Sequence, residues 1–115
     1  MSQITLYHNP RCSKSRAALA LLEEGGDDIR VIEYLKTPPT AEQLERLAAQ
    51  LNVPIREMMR SNEAVYKELG LGDAACNDDD LLSAIAKHPI LLQRPIAVAG
   101  KRAVIGRPPE KVLEL

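Results

Sequence analysis

The sequence contains no Trp and no Phe, and its three Tyr are the only aromatic side chains among 115 residues. Without large rings the interior has to be built from Leu, Ile, Val and Ala, which suits helices packed on a sheet. Only two Cys and two His are present. They are too few for a disulfide framework and follow no zinc-binding spacing. We therefore expect one small layered domain with free thiols and no metal.

An excess of charge of either sign is also missing, since the formal net charge is −1. This gives no support to broad attraction to nucleic acid or to an anionic membrane. No run approaches the roughly 20 apolar residues of a membrane span, and the N-terminus lacks the basic and apolar segments of a signal peptide. We expect a cytoplasmic protein, where thiols stay reduced.

The first third of the sequence predicts a strand, a helix and a second strand. Ile4 and Leu6 alternate with more polar neighbours, as in a short strand. An apolar helix follows over 17–22 and stops at a Gly-Gly pair. Residues 29–35 are rich in β-branched and aromatic side chains and predict the second strand. Such a unit is nearly always a right-handed crossover between parallel strands.

The middle of the chain predicts helices. Thr40 and Gln43 form a capping-box signature ahead of an amphipathic pattern. Pro54 is expected at the first position of a short helix, where its missing N–H has no cost. A further helix stops at Gly70, and the Asp78–Asp80 run places negative charge at the start of the next one.

The end of the chain returns to strands. Residues 95–99 and 102–105 flank a Gly-Lys turn of the kind that closes a β-hairpin, and a last helix is expected over 107–115. The order is βαβ, a helical insertion of about 40–92, and ββα. That order matches a single α/β domain over 1–115, thioredoxin-like, with a four-stranded mixed sheet.

Cys12 is the residue best placed for chemistry, because it lies between the first strand and the helix. The first N–H groups of a helix have no internal partner and stabilise a thiolate. Arg11, Lys14 and Arg16, with His8, add local positive charge. Such settings lower a cysteine pKa from about 8.5 to roughly 3.5–7.5. The alternative is a small apolar residue that fills the strand–helix junction.

Several short motifs together resemble the glutaredoxin-coupled arsenate reductase family, whose fold is thioredoxin-like. They keep the family spacing nearly from end to end: His8-Asn9-Pro10, Cys12, Ser15-Arg16, Tyr34-Leu35, His88-Pro89-Ile90, Arg94-Pro95-Ile96 and Arg107-Pro108. Better-studied members carry Gly and Thr where this chain has Ser13 and Lys14. The C-S-K-S-R loop therefore looks more like a sister branch of the family.

The resemblance implies a site of one thiol and three arginines. Cys12 would be the nucleophile, and by motif Arg60, Arg94 and Arg107 would bind the oxyanion, because guanidinium groups match its geometry. Each arginine also has an alternative explanation that involves no oxyanion. Arg60, for example, would complement the dipole of a helix near whose end it lies. The resemblance also predicts a cis bond between Arg94 and Pro95, with Pro95 facing the active-site loop.

Two further residues complete the implied catalytic set. Ser15 would donate a hydrogen bond to the Cys12 sulfur, or else cap the helix. His8 would bias the Cys12 thiolate, or else be a structural histidine at a strand end. Cys76 has no flanking base and lies near acidic runs, which disfavour a thiolate, so we expect it to be dispensable.

The reaction implied is reduction of arsenate to arsenite, with glutathione as co-substrate, glutaredoxin as partner, and neither metal nor tightly bound cofactor. One alternative is a thiol-disulfide oxidoreductase acting on glutathione mixed disulfides, which needs Cys12 but not the arginines. The other is a non-catalytic module that docks on RNA polymerase, as in the related Spx-type regulators. Those regulators carry a C-x-x-C pair at this loop, where this chain has Ser15, so an internal disulfide there is excluded.

Overall fold

The computed structural model describes residues 3–26 and 28–115. The chain divides into two compact units. One comprises the described residues up to Thr37 together with Arg94–Leu115, and the other comprises Pro38–Gln93. The expected helical insertion of about 40–92 falls within the second unit, and the single-domain assignment stays a prediction.

The first unit is a four-stranded mixed sheet with one long helix, which confirms the predicted fold class. The strand order is β2-β1-β3-β4; β1 and β2 are parallel, and the β1–β3 and β3–β4 pairs are antiparallel. In chain order the elements are β1 (Gln3–His8), α1 (Ser13–Glu24), β2 (Asp28–Glu33), β3 (Ile96–Ala99), β4 (Arg102–Ile105) and a 3₁₀-helix over Pro109–Glu114.

The core of this unit explains why two polar side chains are buried near Cys12. Strand alternation turns Ile4 and Leu6 inward, and the same period carries His8 to that buried side. On α1 the buried residues are Ser15, Ala18 and Leu22, which share one helix face. His8 and Ser15 therefore continue the buried faces of β1 and α1 toward Cys12.

The second unit is helical. It contains α2 (Ala41–Leu51), a 3₁₀-helix (Ile55–Met58), α3 (Ala64–Glu68), α4 (Asp78–Lys87) and a 3₁₀-helix (Pro89–Leu91). The predicted capping box of Thr40 and Gln43 is present, and Asn77 and Asp80 form a second one. Helix α2 packs on α4, and an isolated antiparallel bridge joins Met59 to Leu92.

Several boundaries differ from the sequence prediction, and three of them have a clear physical reason. Strand β2 ends at Glu33 and not at 35, because the chain turns and the N–H groups of Lys36 and Thr37 both donate to the Glu33 carbonyl, at 2.9 and 3.0 Å. The last helix is a 3₁₀-helix that starts at Pro109, since a residue before proline, here Pro108, is held extended. Pro54 is likewise extended, at ψ 148°, and precedes its 3₁₀-helix.

Candidate active site

Cys12 caps the N-terminus of α1, as the sequence predicts. Its backbone is extended, at φ −92° and ψ 122°, and Ser13 begins the helix. The loop before it is fixed by hydrogen bonds: Cys12 N–H donates to the Asn9 carbonyl and Arg11 N–H donates to Asn9 Oδ1, each at 3.0 Å. The Cys12 side chain is free of any disulfide and half-buried. A thiol is thus held at the positive end of a helix.

The pKa of Cys12 lies below the ordinary value of a thiol. Burial alone raises the pKa, but hydrogen bonds from the Ser15 N–H, the Arg94 side chain and the Lys14 N–H outweigh it, together with the charge of Arg94. All of these groups favour the anionic sulfur. The backbone N–H groups at the start of α1 therefore contribute to the lowered pKa, and the principal cation is Arg94, which lies 82 residues later in the chain.

The side chain of Ser15 serves a different purpose from the one expected. Its Oγ lies 2.6 Å from His8 Nδ1 and accepts a hydrogen bond from the Asn9 N–H at 3.1 Å. It is the backbone N–H of Ser15, and not its hydroxyl, that contacts the Cys12 sulfur. Ser15 does not cap the helix either, because Cys12 occupies that position. The buried hydroxyl instead ties the end of β1 to the first turn of α1.

His8 is buried and its pKa is lowered. Desolvation by burial is the main cause, Glu33 opposes it by raising the pKa, and the charge of Arg16 adds to the lowering. The imidazole is therefore neutral at physiological pH, and its Nδ1 atom contacts the Ser15 hydroxyl. His8 also lines a cleft of about 210 Å³ with Glu33 and Lys36.

The lowered pKa of His8 predicts acid sensitivity. As the pH falls below about 6.5, the unfolded histidine takes up a proton before the folded one. The contribution of His8 to the free energy of unfolding is complete above about pH 6.5. It is lost as the pH falls through the lower pKa that His8 has in the folded protein. We expect the free energy of unfolding, from urea denaturation, to fall more steeply between about pH 6.5 and 5 in the wild type than in His8→Gln. Parallel pH profiles would contradict this.

Arg94 is the second polar group at the thiol. Its Nε and Nη1 atoms are buried and have no hydrogen-bond partner among the described residues. Although burial lowers its pKa, the interactions with Cys12 and with Tyr34 raise it above the ordinary value, so the side chain stays charged. Buried N–H donors without a partner are costly. An anion bound here would satisfy them.

Arg107 and Gly106 hold the backbone around Arg94. The Nη1 of Arg107 donates to the Arg94 carbonyl at 3.0 Å, and the Gly106 N–H donates to the Pro95 carbonyl at 2.8 Å. A Cβ at residue 106 would lie 2.8 Å from Pro95 Cγ, so only glycine fits. The bond between Arg94 and Pro95 is cis, which confirms the prediction, and the bond between Arg107 and Pro108 is also cis.

Arg60 belongs to the second unit. Its backbone N–H donates to the Leu91 carbonyl at 2.7 Å. Its Nε donates to Glu63 Oε2 at 3.0 Å, and the two side chains are only 17% and 22% exposed. The Glu63 carboxylate therefore fixes the orientation of the Arg60 guanidinium through Nε. It does not use the other guanidinium N–H groups of Arg60. The i, i+3 spacing of Arg60 and Glu63 in the sequence is one that favours such an ion pair on a helical turn.

Cys76 is held in a loop of the second unit. Its Sγ donates to the Gly70 carbonyl at 3.6 Å. The Arg56 guanidinium organises the same loop by donating to the carbonyls of Leu71 and Asp73, at 2.6 and 2.7 Å. These contacts give the loop a structural explanation that needs no chemistry at Cys76.

Residues 3–26 and 28–115 contain no group of three or more His, Cys, Asp or Glu side chains that could hold a metal ion. Within the same ranges, no helix is both long and apolar enough to cross a membrane.

Comparison with known proteins gives consistent results. Residues 7–115 match the model of the ArsC family. An arsenate reductase of Neisseria meningitidis serogroup A is 50% identical over 113 residues, 97% of each chain. The uncharacterized protein YfgD of Escherichia coli K12 is 48% identical over 114 residues, 98% of this chain and 96% of that one. The solved structure of an arsenate reductase from Vibrio cholerae superposes with a TM-score of 0.96, at 53% identity, over 98% of this chain and 97% of that one.

Proposed function

The chain belongs to the ArsC family, and from this premise we propose that it reduces arsenate to arsenite with Cys12 as the nucleophile. The observation that carries the proposal is the setting of the Cys12 sulfur. It receives hydrogen bonds from the Ser15 N–H, the Arg94 side chain and the Lys14 N–H, and its pKa is lowered. The relatives named arsenate reductase supply the substrate class.

In the proposed reaction the Cys12 thiolate attacks arsenic(V). A sulfur–arsenic bond forms, and one arsenate oxygen leaves as water after taking up protons. Glutathione then attacks the arsenic of the adduct and displaces a second oxygen as water, and the glutaredoxin thiol attacks the glutathione sulfur. Arsenic gains two electrons, and two thiols lose them in forming a mixed disulfide between glutathione and glutaredoxin. Water cleaves the remaining sulfur–arsenic bond, so that Cys12 returns to the thiol state and arsenite is released, in what we propose to be a cytoplasmic reaction.

The proposed role of the arginines is to offset the electrostatic repulsion between the Cys12 thiolate and the arsenate anion. The unpaired Nε and Nη1 donors of Arg94 support a site for arsenate oxygens. Arg107 is a second proposed ligand, one of whose nitrogens is already used to hold the Arg94 carbonyl. Arg60, proposed by family motif, would be the third, with its guanidinium orientation fixed by Glu63. Bidentate guanidinium contacts suit tetrahedral oxyanions.

The test is to measure arsenate-dependent NADPH consumption with glutathione, glutaredoxin and glutathione reductase. A matched assay replaces arsenate with a small glutathione mixed disulfide. Turnover that depends on arsenate supports the proposal. Turnover with the mixed disulfide alone would instead favour a thiol-disulfide oxidoreductase. Inactivity in both assays would leave the non-catalytic, polymerase-binding alternative.

The state of Cys12 can be tested without turnover. We expect its iodoacetamide alkylation rate to titrate well below the free-thiol value of about 8.5, because the groups around the sulfur favour the thiolate. Arsenate or sulfate should slow this alkylation by occupying the anion site. A normal titration with no protection by either anion would refute the proposed site. Alkylation of Cys76, followed in the same sample by peptide mass spectrometry, is the internal control.

A further inference from the structure

A cleft of about 210 Å³ lies at the carboxyl ends of β1 and β2, beside the loop that leads to Cys12. Residues 8–11 form one wall, and residues from the end of β2 and the turn after it form the other. His8 is opposite Glu33 in the parallel register, so both walls lie at the same edge of the sheet. Ligands of α/β sheets commonly bind at the carboxyl ends of the strands. Because Arg11 lines the cleft and is bonded to Cys12, a molecule bound here lies close to the thiol.

The cleft is lined by charges of both signs. Arg11 and Lys36 are positive and Glu33 is negative, and Lys36 Nζ lies 3.5 Å from Glu33 Oε1. The two side chains of this pair are 79% and 41% exposed, and surface pairs of this kind give up their partners at little cost. Leu35, which is also exposed, adds an apolar surface to the same wall. These groups match a ligand that carries an ammonium group, a carboxylate and a short methylene chain.

We propose that the cleft binds the γ-glutamyl end of glutathione while the glutathione thiol attacks the arsenic bound to Cys12. The γ-glutamyl end carries an ammonium group and a carboxylate on one carbon. Its ammonium group pairs with Glu33, and its carboxylate pairs with Arg11 and Lys36. Its methylene groups contact Leu35. This inference rests on the proposed function and names the place where the co-substrate binds.

The length of glutathione suits this arrangement. The Cα atoms of Arg11 and Cys12 are about 3.8 Å apart, and the glutathione sulfur lies roughly 9 Å from the γ-glutamyl α-carbon when the chain is extended. The thiol therefore reaches the adduct while the amino-acid end stays in the cleft. The cleft is smaller than the roughly 300–1,000 Å³ of a typical ligand pocket. It accommodates one end of the tripeptide and leaves the glycine end in solvent.

An NMR titration of the isotope-labelled protein with S-methylglutathione tests the assignment, because the methylated sulfur cannot react with Cys12. We expect saturating shifts at the amides of Arg11 and Lys36. S-methyl-γ-glutamylcysteine, which keeps the γ-glutamyl end, should bind with a similar Kd. S-methylcysteinylglycine lacks that end and should bind about tenfold more weakly. Equal affinities for the two dipeptides, or shifts confined to other residues, would overturn the proposal.

Lys36→Glu and Lys67→Glu make the same charge change at two exposed lysines. Lys67 is the matched control, because it lies on α3 in the second unit. Lys36→Glu turns an attraction to the ligand carboxylate into a repulsion, so the Kd for S-methylglutathione should rise about tenfold. Lys67→Glu should leave the Kd unchanged. Equal effects of the two variants would mean attraction by net charge alone and would contradict the assignment.

Turnover gives an independent measurement. In the coupled assay, Lys36→Glu should raise the KM for glutathione about tenfold and leave kcat and the KM for arsenate nearly unchanged. An unchanged KM for glutathione would count against the cleft. If the wild type does not reduce arsenate, the proposed function fails, whereas the titrations still decide whether the cleft binds the γ-glutamyl end. If arsenate is reduced and S-methylglutathione does not bind, only the cleft proposal fails.

Discussion

Replacing Cys12 with Ser is expected to lower kcat/KM for arsenate reduction by about a thousandfold or more. A serine hydroxyl is not ionised by the groups that stabilise the thiolate, and it lacks the soft sulfur that bonds arsenic and exchanges with thiols. The fold should be kept, because residue 12 is a helix N-cap without a side-chain cap bond, and Ser is a preferred N-cap. The measurements are the coupled NADPH assay and the thermal midpoint.

The matched control is Cys76→Ser. We expect this variant to keep most of the activity, because glutathione and not an internal thiol resolves the adduct in the proposed mechanism. Its sulfur donates only a long hydrogen bond to Gly70, so the fold should be little affected. A loss comparable to that of Cys12→Ser would make Cys76 the resolving thiol and contradict the mechanism.

Arg94→Ala is expected to have two effects at once. The pKa of Cys12 should rise, because the variant loses both a hydrogen bond and a positive charge at the sulfur. Protection of the thiol by arsenate or sulfate should weaken about ten- to hundredfold, the effect of losing one charge-assisted contact. Both are read from iodoacetamide kinetics over a pH series with and without the anion.

Arg107→Ala separates these two effects. Arg107 binds the Arg94 carbonyl and is not among the groups that shift the Cys12 pKa. We therefore expect weaker anion protection with a nearly unchanged Cys12 titration. Equal titration shifts in the two variants would show that the arginines act on the thiol as one unit. Unchanged protection in both would argue against an anion site at these residues.

The sequence was sufficient to predict the parts of the molecule that depend on local patterns. Alternation in β1, the capping box at Thr40 and the Gly-Lys turn identify their elements directly. The position of Cys12 at a helix start follows from the same patterns, whereas Arg94 was implied only by the family resemblance. These features rely on neighbours within a few residues.

Side-chain partners could not be predicted, because they depend on register and on burial. The Ser15 hydroxyl binds His8 and not the thiol, since both residues continue buried faces that meet only in three dimensions. The strand predicted over residues 29–35 ends at Glu33, so the full burial of Tyr34 was not predicted. The interaction of Glu63 with Arg60 became evident only from the 3.0 Å hydrogen bond between them in the structure.

The burial of Tyr34 has a spectroscopic consequence. With no Trp in the chain, ultraviolet emission comes from three tyrosines, and one of them, Tyr34, is 0% exposed and interacts electrostatically with Arg94. The emission and near-ultraviolet dichroism of that ring depend on the charges around it. The protein thus carries an intrinsic optical reporter that is coupled to a candidate site residue, and anion titrations need neither a label nor an engineered chromophore.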